Sequence, residues 1–374
     1  MQPLLPEYKF IAAYLEEIDK NRWYSNFGPL VTRLERRFES FFEMEEGAVT
    51  SVVNGTSGLT NILRAMDLQK SSFCLMPSWT FMATPASAIA AGLTPFFLDV
   101  EEETWALEPE EVKKSIRKVP GMVSAVIVVS PFGAPVETGK WDDFTEETGI
   151  PVIIDGAAAF DSISTIEKAR PGKTPIMISL HATKVLGIGE GGIIISSDKK
   201  LIARIQELIN FGFNSERNIT VPGTNGKMSE YSAAVGLAAL DLWPQKRGVW
   251  TYLKLHYIEA FRRNFQGEIT SPWMLSDEWV SSVCNIRLPS GNALEIMAEL
   301  AKKGIESKRW WTNGCHGHPA YAKFPRLELP VTEMLAKSVI GLPFTIDMKS
   351  RDIDYVVENL AEILRHETRD KKTG

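Results

Sequence analysis

Short apolar runs at 48–53, 73–76, 94–98, 125–129, 152–154, 176–178 and 192–196 alternate with stretches whose apolar residues recur at helical spacing. Runs of that length suit strands buried on both faces, and their alternation with helices builds a largely parallel sheet covered by helices. The pattern predicts an α/β fold, with a large domain around such a sheet over residues 1–245. A helical pattern rich in Ala and Gly begins near Met228. Pro244 is predicted to break it, because proline lacks the N–H of the helix ladder and crowds the carbonyl four residues back. A second helical pattern at 249–265, strand-like residues near Val283 and a helix over 352–364 predict a smaller α+β domain over residues 246–374. The polar tail from Glu367 is expected to fray.

At 374 residues the chain is long enough for two domains. Its 44% hydrophobic and 24% charged residues are ordinary for a globular protein, and a net charge of −6 without a basic block argues against nucleic acid as a partner. Cys74, Cys284 and Cys315 show no CxxC spacing, so neither a disulfide framework nor a cysteine metal site is expected. No run approaches the ~18 apolar residues of a membrane span. The N-terminus carries no signal-peptide pattern. The expectation is a soluble cytoplasmic protein with no membrane partner.

The chemistry-bearing residues lie where apolar runs end. Lys184 follows the run at 176–178 and precedes Gly187, Gly189, Gly191 and Gly192. A lysine amine titrates near ~10.4 in water, so a nucleophilic lysine needs a site that strips away water or adds a second cation. Asp155 closes the run at 152–154, at the strand end where open α/β sheets present groups to a ligand. Alone, a lysine before a glycine turn is usually solvated, and an aspartate there usually caps a helix. With Ser179 between them, the ordered set suits pyridoxal 5'-phosphate: Lys184 as its covalent partner, Asp155 facing the pyridine nitrogen. Asn54-Gly-Thr-Ser-Gly58 follows a strand and opens a helix, so Gly55, Thr56 and Ser57, joined by Ser179, would cup the cofactor phosphate. A plain capped turn is the commoner reading of that segment by itself. In Pro77-Ser-Trp-Thr-Phe-Met-Ala-Thr84, Phe81 or Trp79 could lay a flat ring against the cofactor, although aromatic residues there more often fill the core.

Several motifs in one order carry a resemblance over nearly the whole chain. They are Trp23-Tyr-Ser-Asn-Phe-Gly-Pro29, Asn54-Gly-Thr-Ser57, the 77–84 segment, Ile154-Asp155, Ser179-Leu-His-Ala-Thr-Lys184, Gly189-Glu-Gly-Gly192, Pro222-Gly-Thr-Asn-Gly-Lys-Met-Ser-Glu230 and Leu329-Pro-Val-Thr-Glu333. The chain resembles the DegT/DnrJ/EryC1/StrS sugar-nucleotide aminotransferases. That resemblance implies an aspartate-aminotransferase-like PLP fold, a homodimer with shared active sites, and transfer of an amino group, with glutamate as donor, to a keto-sugar nucleotide. It implies that Lys184 carries the cofactor, Asp155 pairs with the pyridinium, Phe81 rather than Trp79 stacks on the ring, and Thr56, Ser57 and Ser179 hold the phosphate. It also implies that Asn225 reaches the phosphate from the neighbouring subunit; on its own, Asn225 is a good turn residue in a Gly-rich loop. Ala158 stands where the family usually has Gln or His, and Lys227 where it often has Arg, which lysine cannot copy as a bidentate donor. Within the family the resemblance leans to enzymes making dTDP-4-amino-4,6-dideoxyglucose, with dTDP-4-keto-6-deoxyglucose as substrate feeding O-antigen, lipopolysaccharide or another surface glycan.

His181, three residues before Lys184, reads first as a packing or substrate-lining residue and second as a base. His316 and His318 with Cys315 do not complete a tetrahedral set, so no metal is expected. In Arg309-Trp-Trp-Thr-Asn-Gly-Cys-His-Gly-His318, Arg309 could meet a diphosphate oxygen and Trp310 could stack on a ring, while a structural loop explains the same residues equally well. The alternatives are a 3-keto-sugar nucleotide aminotransferase, a PLP-dependent sugar dehydratase and a non-catalytic PLP-binding regulator. Retention of Lys184 and the dispersed cysteines speak against the dehydratase.

Overall fold

A computed structural model of the chain describes residues 3–373 apart from 266, 275 and 290. Each apolar run forms a strand: β1 (Val49–Val52), β2 (Phe73–Pro77), β3 (Thr94–Leu98), β4 (Val123–Val129), β5 (Val152–Asp155), β6 (Ile176–Ser179) and β7 (Gly192–Ile195). They make one seven-stranded sheet in the order β1-β7-β6-β5-β4-β2-β3. Only β7 runs against its neighbours. The sheet is thus mostly parallel, and the ends of β1, β2, β4, β5 and β6 share one edge.

Helices α1 (Tyr8–Asn21) and α2 (Pro29–Phe41) precede the sheet. The connectors are α3 (Gly55–Ala65), α4 (Ala83–Ala90), α5 (Pro109–Ile116), α6 (Thr138–Thr148), α7 (Ser162–Thr165) and α8 (Lys199–Ile209). Strand side chains alternate between two buried layers, as the period of two requires. In β4, Ala125 and Ile127 join Leu59, Ile62 and Ile205 of α3 and α8, while Val126 and Val128 join the layer that holds Leu34 of α2 and Leu237 of the long helix after α8. Burial on both faces is why these runs read as continuous rather than alternating apolar.

The expected break at Pro244 does not occur. Helix α9 runs unbroken from Glu230 to Asn264 with Pro244 inside it. A proline in a helix interior costs about 3 kcal/mol, and burial of Leu237, Leu240, Trp243, Trp250, Leu253 and Tyr257 along the helix outweighs that. Beyond α9, β8 (Cys284–Arg287) pairs antiparallel with β9 (Val339–Leu342), accompanied by α10 (Ala293–Lys302), α11 (Pro330–Ser338) and α12 (Ser350–Thr373). The tail expected to fray from Glu367 continues the α12 backbone to Thr373, and Gly374 lies outside the described residues. Among the described residues, no helix is long and apolar enough to cross a membrane.

Candidate active site

Strand register brings the predicted residues to one edge. Val52, Gly192 and Ser179 lie in one cross-strand row, and Asp155 pairs with Met177 one strand over. Space for a side chain at Gly192 is tight, since a Cβ would stand 3.0 Å from Val52 Cγ2 and 3.1 Å from the Ile178 carbonyl oxygen. The row carries the start of α3 to β6: a Cβ on Gly55 would sit 3.4 Å from that of Ser179. Asn54 caps α3 by accepting from Ser57 N–H at 2.9 Å. Helix geometry leaves the N–H groups of Gly55 and Thr56 without intrahelical acceptors, aimed at the same edge as the exposed Thr56 side chain and the Ser179 hydroxyl. The predicted phosphate cup is therefore assembled from two distant segments.

Lys184 sits in a loop that folds back on itself, with Ala182 N–H donating to the Gly189 carbonyl at 2.8 Å and Lys184 N–H to the His181 carbonyl at 2.9 Å. Gly187 passes so close to Ala182 that a Cβ would stand 2.5 Å from its carbonyl oxygen, which fixes glycine at that turn. Loss of water pushes the Lys184 amine below its ordinary pKa, opposed by the negative field of Asp155. Asp155 is 5% exposed. Burial pushes its carboxyl above the ordinary value, opposed by the Thr84 hydroxyl donating to Oδ2 at 2.7 Å, by Ala157 N–H donating to Oδ1 at 3.2 Å, and by Lys184. A desolvated amine and a buried carboxylate within each other's field, beside an anion cup, suit pyridoxal phosphate.

The family's sequence profile matches residues 7–361 and bears the description DegT/DnrJ/EryC1/StrS aminotransferase family. This chain belongs to that family. A dTDP-4-amino-4,6-dideoxy-D-glucose transaminase of Escherichia coli is 32% identical over 93% of each chain. The structure of DesI, solved in the presence of its TDP-sugar product, shares 27% identity over 99% of this chain and 94% of its own, with a TM-score of 0.84. NtdA of Bacillus subtilis, solved with bound PMP, shares the fold at a TM-score of 0.84 and 21% identity over 96% of this chain and 82% of its own. The enzyme is an aminotransferase, and its cofactor is pyridoxal 5'-phosphate.

The remaining predicted residues divide. Phe81 is 61% exposed at the mouth of the edge, whereas Trp79 is 2% exposed and packs edge-on against Trp105 and Trp311. His181 lies partly buried, its Nδ1 2.9 Å from Thr183 Oγ1 and its Nε2 3.7 Å from Glu190 Oε1. Asn225 is exposed, and the next residue is pinned to the same chain's cup: Val53 N–H donates to the Gly226 carbonyl at 2.8 Å, and a Cβ on Gly226 would stand 3.1 Å from Ser57 Oγ. Lys227 lies over the Phe211 ring.

Arg309 is engaged within its own domain. Its Nη2 donates to the Thr312 carbonyl at 2.9 Å, to Asn313 Oδ1 at 3.1 Å and to the Ala336 carbonyl, so the guanidinium fixes its own segment against the end of α11. Trp310 packs partly buried beside Gly341. His316 Nδ1 lies 2.8 Å from Ser78 Oγ, and His318 Nε2 2.8 Å from Thr312 Oγ1. Residue reading missed Thr84, whose bond to Asp155 spans 71 positions. It also missed Trp250, Ser282 and Thr345, which line a cavity with Lys184. Thr84 closes the 77–84 segment, but nothing in its spacing tells it from an ordinary first-turn threonine.

Proposed function

We propose that this enzyme moves an amino group from L-glutamate to the keto carbon of a sugar nucleotide, dTDP-4-keto-6-deoxyglucose first among the candidates, in a cytoplasmic homodimer with shared sites. The observation that carries the reading is the pairing of a desolvated Lys184 with a buried Asp155 beside the Gly55–Ser179 cup. The choice of sugar is supported by the name of the E. coli relative. The bound cofactor supplies an electrophilic carbonyl and an electron-withdrawing ring, which together allow an amino group to be exchanged for a keto group.

The chain supplies the rest. Lys184 would hold the cofactor and, as a free amine, would carry the migrating proton on Nζ; its lowered pKa leaves more of the free amine able to accept one. Asp155 holds positive charge on the pyridine nitrogen. Gly55, Thr56, Ser57 and Ser179 anchor the phosphate, aided by Asn225, and Phe81 covers the ring. His181 and Trp310 line the sugar side. Residues 1–245 act as the cofactor domain and 246–374 as the smaller domain, with α9 spanning the boundary and Trp250, Ser282 and Thr345 lining the cavity beside Lys184.

The deciding assay is to follow the cofactor spectrum with L-glutamate, then offer the aminated form 3-keto and 4-keto sugar nucleotides and locate the new amine by NMR. Amination at C4 of the dTDP sugar is expected. Amination at C3 would move the assignment to the 3-keto alternative, and no spectral change with any amino donor would favour a non-catalytic regulator.

A further inference from the structure

Six helix threonines, Thr32, Thr60, Thr145, Thr148, Thr165 and Thr251, return their hydroxyls to the carbonyl four residues earlier. Thr84, in the first turn of α4, does not. Its hydroxyl is fully buried and lies 2.7 Å from Asp155 Oδ2 and 2.8 Å from the hydroxyl of Thr80, itself 1% exposed. An ionised carboxylate only accepts hydrogen bonds, so Thr84 must donate to Asp155. With its one proton committed, Thr84 can only accept from Thr80. The chain therefore has one direction, Thr80 to Thr84 to Asp155.

The outer end is anchored across the fold. Cys315 N–H donates to the Ser78 carbonyl at 2.7 Å, Cys315 Sγ reaches the Thr80 carbonyl at 3.6 Å, and His316 N–H donates to Ser78 Oγ at 3.2 Å. The segment that carries Phe81 is thus fastened to the 315–316 turn, and both hydroxyls are held in place before any ligand enters.

We propose that Thr84 is a positioning residue for the reaction, with Thr80 as its outer support: together they fix Asp155 as an ionised acceptor whose Oδ1 edge is presented to the cofactor. Thr84 occupies Oδ2, while among the described residues Oδ1 receives only the 3.2 Å contact from Ala157 N–H. The inference rests on Asp155 being the partner of the pyridine nitrogen. Burial drives this carboxyl toward its neutral form and the Thr84 hydroxyl opposes it, so removing the hydroxyl shifts the balance toward an acid that no longer holds positive charge on the ring.

The test compares wild type with Thr84→Val, which keeps the shape without the hydroxyl, Thr84→Ser, which keeps the hydroxyl, and Asp155→Asn. Each is loaded with cofactor labelled with ¹⁵N in the ring, the nitrogen signal is followed against pH, and the L-glutamate half-reaction is timed at saturating cofactor. Thr84→Val is expected to lower the pH at which the ring nitrogen loses its proton and to slow the half-reaction by on the order of 10- to 100-fold, with a smaller change in KM. Thr84→Ser is expected to restore both. A Thr84→Val signal and rate within about twofold of wild type, or a Thr84→Ser defect as large as that of valine, would overturn the proposal. If Thr84→Val does not fold, Thr80→Val decides by the same two readouts. If Asp155→Asn leaves the nitrogen titration unchanged, the Asp155 assignment itself falls, and this inference with it.

Discussion

Burial acts on Lys184 and Asp155 in opposite directions, lowering the amine and raising the carboxyl, and each group's charge partly restrains the other. That balance makes their replacements distinguishable. Lys184→Ala is expected to keep the fold, lose the borohydride-stable label that peptide mapping places on residue 184 in wild type, and lose turnover by about 10³-fold or more. A label on another lysine would remove Lys184 from the centre of the site. Asp155→Asn is expected to bind cofactor yet slow the half-reaction by about 10²-fold or more, because a neutral amide cannot hold positive charge on the ring nitrogen. Unchanged half-reaction rates at saturating cofactor would contradict that part. Phe81 and Trp79, two residues apart on one segment, differ in environment: one ring is solvent-facing and the other lies between Trp105 and Trp311.

Among the elements, α2 serves as a cover for β1. Glu35 accepts from Ser51 N–H and Ser51 Oγ, each at 2.7 Å, and Glu39 accepts from Gly47 N–H at 2.6 Å, so carboxylates satisfy main-chain donors at the rim of the sheet. Burial pushes Glu35 from 4.5 to about 7, against the bonds from Ser51. The folded chain therefore keeps this proton over a pH range in which the unfolded chain has released it, and stability from this group falls as pH rises from 4.5 to about 7. Glu35→Gln is expected to flatten that part of the Tm-against-pH curve, and an unchanged slope would show that Glu35 titrates normally in the fold. The strands were readable because each carries an apolar run ended by a turn, interrupted in β1 by the buried Thr50 and Ser51, and Asp155 and Lys184 stood out because each closes or follows one. Pro244 was misread since proline's local cost is fixed while the burial that outweighs it depends on elements far along the chain. Thr84 escaped for the same reason: its partner, Asp155, is set by tertiary packing.

For the whole molecule, the question is which chain completes the phosphate cup. Gly226 is fastened to Val53 and lies beside Ser57 of the same chain, so the Asn225 segment stands next to its own cup. Asn225 itself is exposed, and Phe81, Phe211, Phe213 and Ile219 present large apolar surfaces to solvent, which fits a second copy closing over this edge. The two arrangements give opposite results in one experiment. Lys184→Ala and Asn225→Ala chains, each with strongly reduced activity alone, are mixed under conditions that allow subunits to exchange. If Asn225 serves the partner's site, a mixed dimer gathers both lesions in one site and leaves the other intact, so activity returns toward about half of wild type for each such dimer. If Asn225 serves its own chain, every mixed dimer has one lesion in each site and activity stays near the mean of the two parents. Recovery on mixing is the expected outcome; its absence after exchange is verified, or full activity in a monomer, would remove the shared site.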